Sequence, residues 1–361
     1  MQDVLQLSLF QTSDNRLTNY TALYDLAPRF VQYVERSGDQ QYLSRVTREF
    51  PFNGELYSVT VYPTRITGNN GEEWDELPGE REALVEDVLR RFAADKLSLS
   101  EKDELTMPFS LYAIHQELKR VKHTLSYTEI KQALLILNGS KIEIARVVKP
   151  GEKKARPVVH AAALPVLAYK DDANPEAVSY VQFNPLLVQA IKSLEFEQVN
   201  YEWMMHIRGA LPRWIFKFAS ITLADNDVFS DSIELRAADL VRSCGHSRSR
   251  ERDALADVVK AIKRLKETGV IADYESVGVK QGKVKQDIRF TIRFSEAFMA
   301  DRRSARAIAR NRDNEAVRIA GTARPESFHR ISSTQAAEIK MGKRRVVGTA
   351  GTQPARAELV S

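Results

Sequence analysis

Three arginines at alternate positions, Arg248, Arg250 and Arg252, stand at the start of a segment with helical periodicity. A guanidinium is a planar fork of donors that can bond guanine O6 and N7 together, which discriminates against a wrong base by roughly 1–3 kcal/mol. More cations follow along the segment and on the loop after it: Lys260, Lys263, Arg264, Lys280, Lys283 and Lys285. The pattern predicts base contacts early and phosphate contacts later. The alternative is a solvated helix face with salt bridges to its own acids.

A second, weaker set of polar residues lies in the first half of the chain. Its members are Lys122, Tyr127, Thr128, Lys131 and Gln132 around a predicted helix, and Lys149, Lys153, Lys154 and Arg156 on a predicted loop. Hydroxyls, amides and lysines suit phosphate positioning with few base contacts. A dimerisation or purely structural role for this region is the open alternative.

The segment Gln6, Leu7, Ser8, Leu9 and Phe10 matches the QL(S/D)LF peptide by which bacterial proteins dock on the replicative sliding clamp. In such a peptide Leu9 and Phe10 would fill an apolar pocket, and Gln6 would make polar contacts at its edge. A terminal segment is well placed for docking. The alternative is a short strand that packs on the first domain.

Signs of catalysis or of cofactor binding are missing from the sequence. No GxxxxGK[ST] motif is present, the six histidines are scattered, and no Cys/His cluster has zinc spacing. Cys244 is the single cysteine, which fits a reducing compartment. No signal peptide and no apolar run of membrane-spanning length is visible. We expect a cytoplasmic protein that is not an enzyme and needs no cofactor, metal or membrane.

Charge is distributed unevenly along the 361 residues, whose net charge is +5. Residues 72–105 hold 12 acids and 5 bases, whereas 119–156 hold 10 bases and 3 acids, and 242–285 hold 11 bases and 6 acids. The basic blocks coincide with the two sets of candidate residues above. Such localisation is the electrostatic footprint expected of nucleic-acid binding.

The elements that would position these residues follow one order twice. Strands are predicted over 42–66 with a turn at Asn53–Gly54, and residues 68–79 read as a polar loop. Two helices, a turn, a third helix capped by Ser126 and Glu129, and strands over 141–148 and 158–169 follow. The order recurs as an apolar stretch over 201–223, helices over 237–242 and 250–266, and a strand pair over 270–294.

This order of three helices, a strand, a basic loop and a second strand is that of a winged helix. In a winged helix, the second helix of the helix-turn-helix enters the major groove. We therefore predict an α+β chain with two tandem winged-helix domains and a basic, mostly disordered C-terminal tail. The predicted units are an N-terminal tail over 1–20, a first domain with a β extension over 21–195, a second domain over 196–300 and the tail over 301–361, the domains being joined near Ser193–Asn200.

In architecture, residues 80–300 resemble the theta-type plasmid replication initiators that bind iterons, a family of tandem winged-helix proteins. The resemblance implies binding to direct repeats in double-stranded origin DNA, help in opening the origin, and recruitment of the host initiator, replicative helicase and sliding clamp. It also implies a balance between homodimer and monomer. The alternatives are a winged-helix transcriptional repressor, which needs no clamp peptide, and an origin-nicking endonuclease, for which the sequence offers no credible site.

Overall fold

The computed structural model describes residues 16–31, 42–68, 70–99, 105–148, 158–170, 173–224, 231–281 and 284–320. Its helices are α1 (Ala22–Leu26), α2 (Glu80–Lys96), α3 (Leu111–Arg120), α4 (Tyr127–Gly139), α5 (Pro185–Ser193), α6 (Tyr201–His206), α7 (Ala210–Ala224), α8 (Ala237–Cys244), α9 (Glu251–Glu267) and α10 (Glu296–Ala320). Its strands are β1 (Leu17–Tyr20), β2 (Val46–Phe52), β3 (Glu55–Val61), β4 (Thr64–Thr67), β5 (Glu73–Glu76), β6 (Ser98–Leu99), β7 (Leu105–Phe109), β8 (Lys141–Arg146), β9 (Val158–Ala162), β10 (Val166–Ala168), β11 (Ser179–Gln182), β12 (Glu197–Asn200), β13 (Ser232–Arg236), β14 (Ile271–Gln281) and β15 (Val284–Phe294). The fold is α+β, as predicted.

The second half of the chain forms a winged helix from α7, β13, α8, α9, β14 and β15. The three strands are antiparallel in the order β13-β15-β14, and β14 and β15 form the long wing hairpin. The apolar stripe of α9 is buried as predicted, because Leu255, Val258 and Ile262 recur at helical spacing and face the core. α9 takes the position that the recognition helix has in a winged helix.

The first half contains the same topology in α2, β7, α3, α4, β10 and β11. Its strands follow the order β10-β11-β7, which β6 extends at the edge. Ser110 caps α3 by accepting from Ala113 N at 3.1 Å. The predicted capping box at Ser126 and Glu129 begins α4, the recognition helix of this module.

The wing that we predicted for the first module is wrong. Strands β8 and β9 form a hairpin, but they extend the N-terminal hairpin into a sheet of order β2-β3-β8-β9. Ile142 and Ile144 are buried opposite Val61 and Val59 of β3. Alternation of apolar residues predicts a half-buried strand but does not determine which strand pairs with it. The hairpin β10–β11 takes the position of the wing instead.

One connecting segment also differs from the prediction. The polar loop over 68–79 contains β5, which pairs with β4 and places Asp75 2.9 Å from Arg65. At the junction near Ser193–Asn200, β12 pairs with β1 and Val199 is fully buried. The two modules are consequently joined by a buried strand.

The expectation of a tail fails for residues 301–320, which belong to the 25-residue helix α10. Arg302 is 1% exposed and donates to Gln198 O at 2.8 Å. Arg312 donates to Phe196 O at 3.3 Å while its guanidinium lies over the Phe196 ring. An arginine that finds carbonyl acceptors and an aromatic face can be buried, which a count of charges does not foresee. Residues 321–361 lie outside the described part of the chain.

A buried polar cluster holds the N-terminal segment and the two modules together. The fully buried carboxylate of Asp25 accepts from Arg90 at 3.1 Å. On the next turn of α2, Asp87 accepts from Tyr20 Oη at 2.7 Å and from Lys217 Nζ at 2.6 Å. Lys217 belongs to α7, so this carboxylate ties the first helix of one module to the first helix of the other.

Candidate nucleic-acid interface

The start of α9 presents arginine side chains to solvent. Arg250 is the N-cap residue of α9, and its side chain makes no cap hydrogen bond. Arg250 is exposed and has no ion-pair or hydrogen-bond partner for its guanidinium among the described residues. Arg252 is 79% exposed and lies 3.7 Å from Asp253. Both guanidinium groups are therefore available to a base edge.

Arg248 is held by a carboxylate on the recognition helix. Asp257 Oδ2 accepts from Arg248 Nε at 2.7 Å and lies 3.0 Å from His246 Nε2, and Asp257 Oδ1 accepts from Lys260 Nζ at 3.2 Å. Partial burial raises the pKa of Asp257, but the hydrogen bonds from these three side chains outweigh it and keep the pKa below its ordinary value. Asp257 thus stays ionised and orients two of the predicted contact residues.

The remaining predicted residues of the second module lie further along. Lys263 is exposed, and Arg264 pairs with Glu267 at 3.4 Å on the helix surface. At the wing, the backbones of Lys280 and Lys285 face each other in the β14–β15 register. Lys283 lies outside the described residues.

The recognition helix of the first module offers less free polar surface. Tyr127 is half-buried with its ring 4.7 Å from that of His115. Gln132 accepts from Arg81 at 2.9 Å, whereas Thr128 in the first turn is exposed. Lys131 is half-buried, and Lys122, at a φ of 63°, is exposed on the turn before the helix.

Several predicted contacts cannot be placed. The loop residues Lys149, Lys153, Lys154 and Arg156 lie outside the described residues, and so does the peptide Gln6–Phe10. The flanks of that loop, β8 and β9, belong to the N-terminal sheet rather than to a wing. On the actual wing strands of this module, Val166 and Tyr180 are exposed at 43% and 49%.

Sequence reasoning missed Arg208, which lies on the turn between α6 and α7. It is exposed, and it lines a groove together with Lys260 and Arg264 of α9 and Glu80 of α2. Its one sequence signal is the glycine that follows, because Gly209 adopts a φ of 97° and turns the chain sharply. The spatial relation to α9 depends on tertiary packing.

The described residues contain no group of His, Cys, Asp or Glu that could hold a metal ion. Burial raises the pKa of the Cys244 thiol to about 12, so this thiol is neutral at physiological pH. None of the helices in the described ranges is long and apolar enough to cross a bilayer.

No protein-family model and no curated protein matches this chain. Among solved structures it is similar to a selenomethionine derivative of RctB domains 2 and 3, with a TM-score of 0.47 and 9% identity over 75% of this chain and 96% of that chain. A second structure of RctB domains 2–3 gives 0.46 and 8% over 78% and 99%. The Pi initiator protein in complex with iteron DNA gives 0.41 and 13% over 60% and 91%. At these values, function must be argued from this chain's own residues.

Proposed function

We propose that this protein initiates plasmid replication by binding repeated sites, or iterons, in double-stranded origin DNA. It then helps to open the origin and recruits host proteins, among them the sliding clamp, the host initiator and the replicative helicase. It works in the cytoplasm without a cofactor and without an enzymatic step of its own, and a balance between homodimer and monomer belongs to the same proposal.

The main support for the DNA-binding part of the proposal is that the two recognition helices lie around one end of α2. Arg81, in the first turn of α2, bonds Gln132 of α4. Its neighbour Glu80 lines the same groove as Lys260 and Arg264 of α9. The two recognition helices therefore flank one helix end, and a single duplex passing there would meet both modules.

Ion pairs between the modules support a fixed spacing of these contacts. Arg120 of α3 lies 2.6 Å from Glu202 of α6, and Arg213 of α7 lies 2.9 Å from Glu80 of α2. His123 adds a hydrogen bond to Met205 O at 2.8 Å. A pair of helices held in this way suits a site of defined length, because each module meets the groove at a set position along the duplex.

The test of iteron binding uses direct repeats of about two helical turns taken from beside the coding region. We expect tight binding to one repeat, weak binding to a scrambled duplex, and a large loss when about half a helical turn is inserted between the subsites of the two modules. Equal affinity for repeat and scrambled DNA would contradict the proposal. Promoter repression without replication would favour a repressor, and strand breaks in the presence of Mg²⁺ would favour a nickase.

The clamp contact is supported by the sequence Gln6–Phe10 alone and has its own test. Leu9→Ala with Phe10→Ala should abolish capture by the sliding clamp, because a short docking peptide places most of its binding energy in a few apolar anchors. Affinity for the repeat should stay unchanged in the same variant. Normal capture by the clamp would show that this segment has another role.

A further inference from the structure

A groove of about 370 Å³ lies between the turn that joins α6 to α7 and one face of the recognition helix α9. The charged and titratable side chains that line it are Glu80, Arg208, His246, Arg248, Asp257, Lys260 and Arg264. The first turn of α7, from Ala210 to Pro212, and Ala261 of α9 also line it. The groove is thus lined by four cations.

The two carboxylates in the groove are already compensated. Arg248 and Lys260 bond Asp257 at 2.7 and 3.2 Å. Glu80 accepts from Arg213, which is 3% exposed and lies outside the lining. Since both acids have partners, the groove retains a surplus of positive charge.

Arg208 differs from the other cations of the lining, since Arg248 and Lys260 pair with Asp257 and Arg264 pairs with Glu267. It is exposed, and its guanidinium has no hydrogen-bond or ion-pair partner among the residues that the structure describes. Gly209, with a left-handed φ of 97°, follows Arg208 where the chain turns into α7, and both residues line the groove. A guanidinium without a carboxylate partner is suited to an oxyanion.

We propose that this groove binds a phosphodiester group of the DNA backbone, next to the bases that α9 reads, with Arg208 as its main ligand. The proposal rests on the proposed function, since it needs a duplex lying on α9. Lys260 and Arg264 follow Arg250 by 10 and 14 residues, which is about 15 and 21 Å along a helix. The major groove is about 12 Å wide, so cations this far from the reading end meet the flanking backbone.

Phosphate chemistry could also come from a free phosphorylated molecule, which the tripolyphosphate measurement below distinguishes. Two substitutions test the part that Arg208 itself plays. Arg208→Gln removes the charge, whereas Arg208→Lys keeps it but loses the fork. Arg303→Gln is the matched control, because Arg303 is 44% exposed on α10. Its neighbour Arg302 contacts Ser220 at the other end of α7 from the groove.

The experiment measures binding of the full chain to the repeat while single phosphates are replaced in turn by uncharged methylphosphonates. We expect a methylphosphonate at one flanking position to lower the affinity of the wild type roughly tenfold. Arg208→Gln should bind the unmodified repeat about tenfold more weakly, and the same methylphosphonate should lower its affinity no further. Arg208→Lys should keep most of the affinity, because a phosphate accepts a point charge, and Arg303→Gln should match the wild type. If the loss of affinity from Arg208→Gln adds to the loss from the methylphosphonate at every position, the proposal is wrong.

Salt dependence on a random duplex tests the groove without the iteron proposal. Arg208→Gln should lower the slope of log affinity against log salt by about one unit. If the wild type does not prefer the repeat but this slope still falls, the iteron proposal fails and the groove proposal stands. If tripolyphosphate raises the melting temperature of the wild type but not of Arg208→Gln, while both bind DNA equally, the groove belongs to a free ligand and the proposal is wrong.

Discussion

The two winged helices share one strand order but present different surfaces. The recognition helix of the first module carries one cation, Lys131, and its polar residue Gln132 bonds within the protein. The recognition helix of the second module carries Arg252, Lys260, Lys263, Arg264 and Lys266, and Arg250 stands at its start. The wings differ too, since β10 and β11 have 3 and 4 residues, whereas β14 and β15 have 11 each.

This comparison teaches that topology and recognition chemistry are separate properties of the same scaffold. In the second module the cations lie on the helix and on the hairpin beside it, which is the arrangement for reading a groove and holding its backbone. In the first module the wing position carries exposed Val166 and Tyr180, and the charged contacts of α2 and α3 face the other module. We expect sequence reading in the second module and positioning in the first.

The largest expected effect tests whether the two modules unfold together as one cooperative unit. Arg90→Ala removes the closer of the two arginines that pair with the buried carboxylate of Asp25, the other being Arg29 at 3.5 Å, and should cost about 3–5 kcal/mol of the free energy of unfolding. Denaturant unfolding, followed by tryptophan fluorescence and by circular dichroism, should show one earlier transition for both probes. Arg303→Ala, at an exposed ion pair, should change the midpoint little. Two separate transitions would show that the modules unfold independently.

The next effect concerns the division between reading and positioning. Arg250→Ala should cost roughly 1–3 kcal/mol on the repeat and relax specificity at one base step, with little change on random DNA. Lys131→Ala in the first module should weaken both duplexes by a similar small factor. Competition titrations with single-base variants of the repeat measure both. A base-specific loss for Lys131→Ala would reverse the comparison.

A smaller effect is expected from Asp257→Asn, because its partners Arg248 and Lys260 are 47% and 78% exposed, and exposed ion pairs contribute little stability. The pKa of Asp257 is held below its ordinary value, so its ion pairs stabilise the fold fully above the ordinary pKa and are lost as pH falls through the lower, folded-state pKa. The gap in melting temperature between wild type and Asp257→Asn should therefore be present near neutral pH and close below about pH 4. A gap that widens in acid would contradict this assignment.

The smallest effect distinguishes α10 from the segment that follows it. Removing residues 321–361, which hold seven bases and three acids, should leave affinity for the repeat intact and lower affinity for random DNA. Ending the chain after Arg310 instead removes Arg312, which bonds Phe196 O and Leu194 O, and should lower the melting temperature. Equal melting temperatures for the two truncations would show that the end of α10 adds no stability.

Local chemistry made much of the fold predictable. The capping box at Ser126 and Glu129, the Asn53–Gly54 turn and the apolar stripe of α9 depend on residues that are close in sequence. The same holds for the candidate site, because Arg248, Arg250 and Arg252 are recognisable beside a helix whose apolar face is periodic. Interactions between residues that are close in sequence can be recognised from residue types and their spacing.

The sequence by itself thus determined the helices α2, α3, α4, α8 and α9, the hairpins β2–β3 and β14–β15, the α+β class and the cationic end of α9. Tertiary structure alone decided that β8–β9 joins the N-terminal sheet, that Arg302 is buried, and that Arg208 meets Lys260 across a groove. The physical reason is that strand pairing and the burial of charge depend on partners distant in sequence. An alternating strand fits many sheets, and an arginine lies in water or in a core according to the acceptors that the fold brings to it.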